Sequence, residues 1–237
     1  MMSVMRLPIV FLHGWGRTKA DFDVLRRRLE AAGHHAIAFD FPGFGAAAEP
    51  PAGWSVGEYA ADTSARLRGA QCSRAVIVAH SFGTRVAVVL AAEHPELVER
   101  LVLIGAPLIR SLTLKRRLFI LTAKVWKLAA KLPGSSTLER WLEGQLARHP
   151  HSMDFFKVNG VMRQVLKNVV EFDLRPYLGR ISAPTLLLYG ARDRVTPPAI
   201  GVRAAAHIPS ATLHIIKDAG HMLILEKPDA VLDEIER

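Results

Sequence analysis

Ser81, Asp193 and His221 are the side chains whose types, order and surroundings point to nucleophilic chemistry. A serine hydroxyl is unreactive at its own pKa and needs a base to take its proton. An imidazole base in turn needs an acid to fix its tautomer. Ser81 lies in Ala79-His80-Ser81-Phe82-Gly83, directly after the apolar run Ala75 to Ala79 and directly before a helical pattern. So sharp a strand-to-helix turn strains its central residue and demands small residues two places before and after it, which Ala79 and Gly83 supply. The helix beyond would turn its positive end toward charge forming beside Ser81. The loop His13-Gly14-Trp15-Gly16 follows the first apolar run and is the candidate oxyanion hole. Trp15 would give one backbone N–H and Phe82 the other.

Ten histidines compete for the role of base. His221 stands out because the turn Asp218-Ala219-Gly220 would bring it to the same sheet edge as Ser81. Asp193 follows the run ending at Gly190 and has two readings: an acid orienting His221, or a turn former capping the helix opened by Pro197-Pro198. Asp218, Asp40 and Glu226 are rival acids, and Asp218 is too close in sequence to reach the His221 ring while that loop turns. His13, Gly14, His80 and Trp126 are substrate-pocket candidates, with loop packing as the plainer reading of His13 and His80. Cys72 is the single cysteine, so no internal disulfide and no multi-cysteine metal site is expected.

The elements that must hold these residues follow from hydrophobic patterning. Near-continuous apolar runs at Pro8 to Leu12, Ala36 to Phe39, Ala75 to Ala79, Leu101 to Ile104, Thr185 to Tyr189 and Thr212 to Ile216 read as parallel strands covered on both faces. Helical spacing is carried by Asp21 to Ala32, Val56 to Leu67, Phe82 to Glu93, Pro197 to Ala206 and Pro228 to Glu236. This alternation predicts an α/β core, 1–107 and 181–237, with a mostly parallel sheet of about six strands. The stretch 108–180 offers no convincing strand and is expected to be a helical cap inserted before the fifth strand. Within it Leu114 to Leu132 reads as a basic amphipathic helix, ended by Pro133-Gly134.

Half the residues are hydrophobic and 22% are charged, a balance that excludes a largely disordered chain. No apolar run approaches a membrane span, and the expected compartment is the cytoplasm. The net charge of +9 is unevenly placed: Gly105 to Arg180 holds fourteen Lys and Arg against five Asp and Glu. That basic segment reads as a lid with a solvated face, or as a surface drawn to an anionic substrate, an acyl carrier or a membrane. Aromatic-basic interleaving is missing, so nucleic acid is not an expected partner.

These motifs together resemble α/β-hydrolase enzymes with an inserted cap, over essentially the whole chain. The resemblance rests on the His13-Gly14-Trp15-Gly16 loop, Asp40-Phe41-Pro42-Gly43-Phe44-Gly45, the Ser81 elbow, the Asp193 loop and Gly220-His221 leading to Glu226-Lys227-Pro228. It implies a cap closing over the site and no cofactor. Ala79 departs from the family's usual first glycine, and Thr84 stands where many relatives have a second. The expected activity is serine-dependent hydrolysis of a carboxylic ester through an acyl-enzyme. A thioesterase, a lactonase or a carbon–carbon bond hydrolase would use the same three residues, and a non-catalytic receptor on the same fold is the rival from another class. A serine in the nucleophile position argues against haloalkane and epoxide chemistry, where this family uses a carboxylate.

Overall fold

The computed structural model describes residues 7–109 and 158–237. Its six strands are β1 (Ile9–Leu12), β2 (Ala36–Ala38), β3 (Ala75–His80), β4 (Val98–Ile104), β5 (Thr185–Gly190) and β6 (Ala211–Ile216), forming one sheet in the order β2-β1-β3-β4-β5-β6. Every pairing is parallel. All strands therefore end at the same edge. The chain reverses its direction of travel across the sheet between β1 and β3, and a crevice opens at the carboxyl ends of the strands at such a switch point.

Alternate residues of each apolar strand feed two separate cores. Val10, Leu12, Ile77, Ala79, Leu101, Leu103, Leu187 and Tyr189 face one layer, and Ile9, Phe11, Val78, Val102, Ile104, Leu186 and Leu188 face the other. The first layer is covered by α2 (Val56–Gly69), α3 (Phe82–Glu93), α4 (Gly160–Glu171), α5 (Arg175–Leu178) and α6 (Pro198–Ala205). On the second lie α1 (Asp23–Ala31), the short α7 (Leu223–Glu226) and α8 (Pro228–Glu236).

Local chemistry explains the helix boundaries. Ser55 and Glu58 form a reciprocal capping box at the start of α2, satisfying backbone donors that the first turn leaves open. Pro198 and Pro228 open α6 and α8 at positions where a missing N–H costs nothing. Helix α3 is buried from Phe82 to Ala92, consistent with its near-absence of charge.

The expected strands and helices recur with shifted ends. The first helical pattern divides into a 3-10 turn, Lys19–Phe22, and α1, because Thr18 accepts from Ala20 N and starts a tighter turn. Strand β4 begins at Val98, earlier than the apolar run suggested, since Glu99 and Arg100 interrupt its hydrophobicity while its pairing with β3 continues through a register shift that skips Glu99. Of the expected insertion, 158–180 contributes α4 and α5. The basic helix expected at Leu114 to Leu132 lies outside the described residues, as does Trp126. Among the described residues no helix is long and apolar enough to cross a membrane.

Candidate active site

Ser81 ends the β3-to-α3 turn with φ 50° and ψ −111°, a conformation worth roughly 1–3 kcal/mol of strain in a residue with a Cβ. Three contacts hold it there. Ser81 N donates to Ile104 O of β4 at 2.9 Å, and the Thr84 hydroxyl donates to Ser81 O at 2.6 Å. The third is steric: a Cβ on Gly83 would lie 2.3 Å from Leu12 O, so only glycine lets α3 pass this close to β1. Thr84, a departure from the family's glycine, thus adds a hydrogen bond to the elbow.

The Ser81 Oγ lies 3.0 Å from His221 Nε2, and His221 Nδ1 lies 2.8 Å from Asp193 Oδ2. The spacing fits an Oγ–H donating to Nε2 and an Nδ1–H donating to the carboxylate, so Ser81, His221 and Asp193 form one continuous hydrogen-bonded chain. Asp193 is nearly fully buried. Burial pushes its pKa up, but hydrogen bonds from His221 and Thr196 outweigh that and hold it below the usual carboxylate range. Asp193 shapes the turn rather than the helix start: its other oxygen accepts from Val195 N and Thr196 N at 2.8 Å each, while the helix that follows has Pro197 at its N-cap and no side-chain cap. One oxygen shapes the turn and the other faces the imidazole.

Thr196 escaped the sequence reading. Its hydroxyl donates to Asp193 Oδ2 at 2.7 Å and also touches His221 Nδ1 at 3.1 Å. The only sequence signal was its place three residues after an aspartate in a turn. Glu226, considered only as a rival acid, instead brackets His221: Gly220 N donates to Oε2 at 2.6 Å and Met222 N to Oε1 at 3.2 Å, one on each side of it. Asp218 is turned away into an ion pair with Arg192, and Asp40 accepts from Lys19 N and Ala46 N in the loop after β2.

The loop after β1 reaches the nucleophile. A Cβ on Gly14 would lie 3.4 Å from Ser81 Cβ. No main-chain acceptor among the described residues engages Trp15 N or Phe82 N. The two residues touch edge to face at 5.7 Å, and both pack on Phe44. His13 is fully buried: Nδ1–H donates to Gly14 O at 2.8 Å and Nε2 accepts from Phe41 N at 3.0 Å. Burial lowers its pKa, which keeps that tautomer neutral. His80 Nε2–H donates to His221 O at 2.9 Å, and burial first, then the neighbouring His221, pushes its pKa down to about 4. Both nitrogens of His13 and Nε2 of His80 thus hold backbone, while the buried His80 Nδ1 has no hydrogen-bond partner. No group of three or more His, Cys, Asp or Glu among the described residues stands ready to hold a metal ion.

Comparison with known proteins gives a consistent picture. The alpha/beta hydrolase family matches residues 9–234. A pimeloyl-[acyl-carrier protein] methyl ester esterase of Chromobacterium violaceum is 31% identical over 229 residues, covering 90% of this chain and 86% of the relative. A 2-hydroxy-6-oxononadienedioate/2-hydroxy-6-oxononatrienedioate hydrolase of Cupriavidus pinatubonensis is 29% identical over 244 residues, covering 90% and 80%. Among solved structures, Est816, described as an N-acyl homoserine lactone degrading enzyme, superposes with a TM-score of 0.70 at 25% identity, over 98% of this chain and 92% of that one.

Proposed function

Because the chain belongs to the alpha/beta hydrolase family, we propose that it is a serine hydrolase that cleaves a carboxylic ester through an acyl-enzyme, with Ser81 as nucleophile, His221 as general base and Asp193 as the orienting acid. The observation that carries this reading is the unbroken hydrogen-bonded chain from Ser81 Oγ through His221 to Asp193. In the proposed cycle Ser81 Oγ bonds to the ester carbonyl carbon while His221 Nε2 takes its proton. The resulting oxyanion accepts hydrogen bonds from Trp15 N and Phe82 N. The carbon–alkoxide bond then breaks, and Nε2 returns the proton to the leaving oxygen. Water, deprotonated in turn by His221, attacks the acyl-enzyme and releases the acid and a restored Ser81.

An anionic acyl substrate is the favoured class, including an ester borne by an acidic acyl carrier. Fourteen Lys and Arg against five Asp and Glu in Gly105 to Arg180 would attract it, and the substrates named for two relatives are an acyl-carrier ester and a dioate. The proposed cap, 108–180, is where that selection would be made.

The test is mass spectrometry after exposure to a fluorophosphonate, on wild type beside Ser81→Ala and His221→Ala, followed by ester turnover. Labelling confined to Ser81 is expected, lost in both variants, with kcat falling by on the order of 10⁴ or more. A folded wild type that neither labels nor turns over any ester would overturn the mechanism and favour a receptor.

A further inference from the structure

Arg85 lies one helical turn beyond Ser81 on α3 and is buried, at 8% exposure, in a helix otherwise lined with apolar residues. A buried guanidinium is tolerated only where its donors are matched. Here the two terminal nitrogens are matched: Nη1 donates to Pro107 O at 3.1 Å, and Nη2 donates to Val169 O at 2.8 Å and to Phe172 O at 2.7 Å. Pro107 stands just past the end of β4, where the chain leaves the sheet. Val169 and Phe172 stand at the carboxyl end of α4, where it returns. Carbonyls in a last helical turn lack intrahelical partners and carry the negative end of the helix dipole, so a cation there is favoured. One side chain on the nucleophile helix thereby ties down both roots of the segment between β4 and β5.

The outgoing root adjoins the site, since a Cβ on Gly105 would lie 3.2 Å from His221 Cε1 and 3.5 Å from Asp193 Oδ2. Met162, Val165 and Val169 of α4, with Ala106 and Leu108 of the outgoing root, join the same apolar cluster as Phe82 and Phe44. Neighbouring bonds fix the same assembly: Tyr189 Oη–H donates to Ala106 O at 2.6 Å, and Asn168 Nδ2 donates to Gly53 O. Arg85 makes no hydrogen bond to Ser81, His221 or Asp193.

We infer that Arg85 is a positioning residue that anchors α4 and Pro107 to the nucleophile helix and so sets how large an acyl group can reach Ser81. Its kinetic half rests on the reading of Ser81 as nucleophile; its anchoring half does not. Arginine and not lysine suits the task, because three carbonyls lie in different directions and a planar fork can reach them together.

The experiment compares wild type, Arg85→Lys and Arg85→Met as full-length proteins. Amide hydrogen exchange is expected to quicken by about 10-fold or more at the end of α4, 166–172, in Arg85→Met, with β3 unchanged and Arg85→Lys intermediate. Ser81 labelling by a small fluorophosphonate is expected to stay within about 3-fold of wild type, while the KM ratio between p-nitrophenyl decanoate and acetate shifts by about 10-fold and kcat on acetate holds. Unchanged exchange at α4 in both variants overturns the anchoring whatever the triad does. Quickened exchange with a uniform loss across acyl lengths overturns the size-setting role. If Arg85→Met does not fold, Arg85→Lys decides by the same two readouts. A wild type without labelling or turnover condemns the Ser81 reading and the size-setting role with it, and leaves the exchange result to decide the anchor.

Discussion

The two faces of the sheet are built differently, and the site spans both. On the face of α2, α3 and α4 the core is aromatic: Phe41, Phe44, Tyr59 and Phe82 meet at ring separations of 5.2 to 6.1 Å, with Trp15 and Trp54 at the margin. On the other face Leu25, Leu29, Leu223, Ile224, Val231 and Ile235 make an aliphatic core, where Phe11 and Phe22 supply an aromatic contact. Ser81, Trp15 and Phe82 depend on the first layer and the His221 loop on the second. Stiff rings that interlock edge to face limit how far a backbone donor can drift, which suits an oxyanion hole. Aliphatic packing is more adaptable, so the His221 loop needs polar ties as well. The Ser81–His221 distance of 3.0 Å is thus a joint product of two cores and the few bonds that cross between their loops.

The strongest break in that arrangement is Asp193→Asn. The side chain would keep an oxygen for Val195 N and Thr196 N, preserving the turn, while losing the charge beside Nδ1. We expect kcat on an activated ester to fall by on the order of 10³–10⁴ with little change in the circular dichroism spectrum. A loss under about 10-fold would leave Asp193 with the turn alone.

His80 is the tie from β3 to the His221 loop, and its effect is on stability. Its folded pKa of about 4 lies below the ordinary value of 6.5, so between those pH values the unfolded chain holds a proton that the folded chain refuses. Stability therefore falls as pH drops from about 6.5 toward 4, by about 3 kcal/mol from this group. In His80→Gln that part of the slope disappears. Urea unfolding at pH 7 and pH 5 should show the wild type losing about 2 kcal/mol more than the variant over that interval. Parallel pH profiles would contradict the buried neutral imidazole.

Much of this was legible in the sequence, and the reasons for the rest are physical. Strands covered on both faces show as apolar runs, so the sheet could be read, yet the same uniformity hid which residue feeds which core. Gly83 advertised the elbow because a 2.3 Å approach to Leu12 O tolerates no other residue. Asp193 and His221 could be placed because residues just past parallel strands gather at one edge. Thr196 and Glu226 could not, since their importance lies in N–H groups and oxygens of loops whose path sequence does not reveal. Arg85 was invisible for a different reason: an arginine in a mostly apolar helix reads as a solvent-facing residue until its carbonyl partners are seen.

A smaller break separates the His221 side from the Ser81 side. In Glu226→Gln one of the two N–H groups flanking His221 must face an amide NH₂ in place of an acceptor. We expect kcat to fall by about 10-fold, with the unfolding midpoint near that of wild type, because the carboxylate is exposed and its bonds serve a loop. Steady-state turnover beside thermal unfolding checks this. Equal and small changes in both would show that the aliphatic core alone suffices to hold the base.

Tyr59→Phe is the smallest test and probes the opposite face. Tyr59 is fully buried, and its hydroxyl donates to Pro42 O at 2.9 Å, fastening α2 to the loop that carries Phe44. Phe44 in turn packs edge to face on Trp15 at 5.0 Å. The variant keeps every ring contact and loses one buried hydrogen bond, so urea unfolding should show a loss of about 1 kcal/mol. If ring packing is what holds the oxyanion loop, turnover should stay within about 2-fold of wild type, because the aromatic contacts survive intact. A fall in kcat beyond about 10-fold would reverse the contrast drawn between the faces: Trp15 N would then depend on a hydrogen bond through Pro42, just as His221 depends on Glu226, and both sides of the site would be held by polar ties.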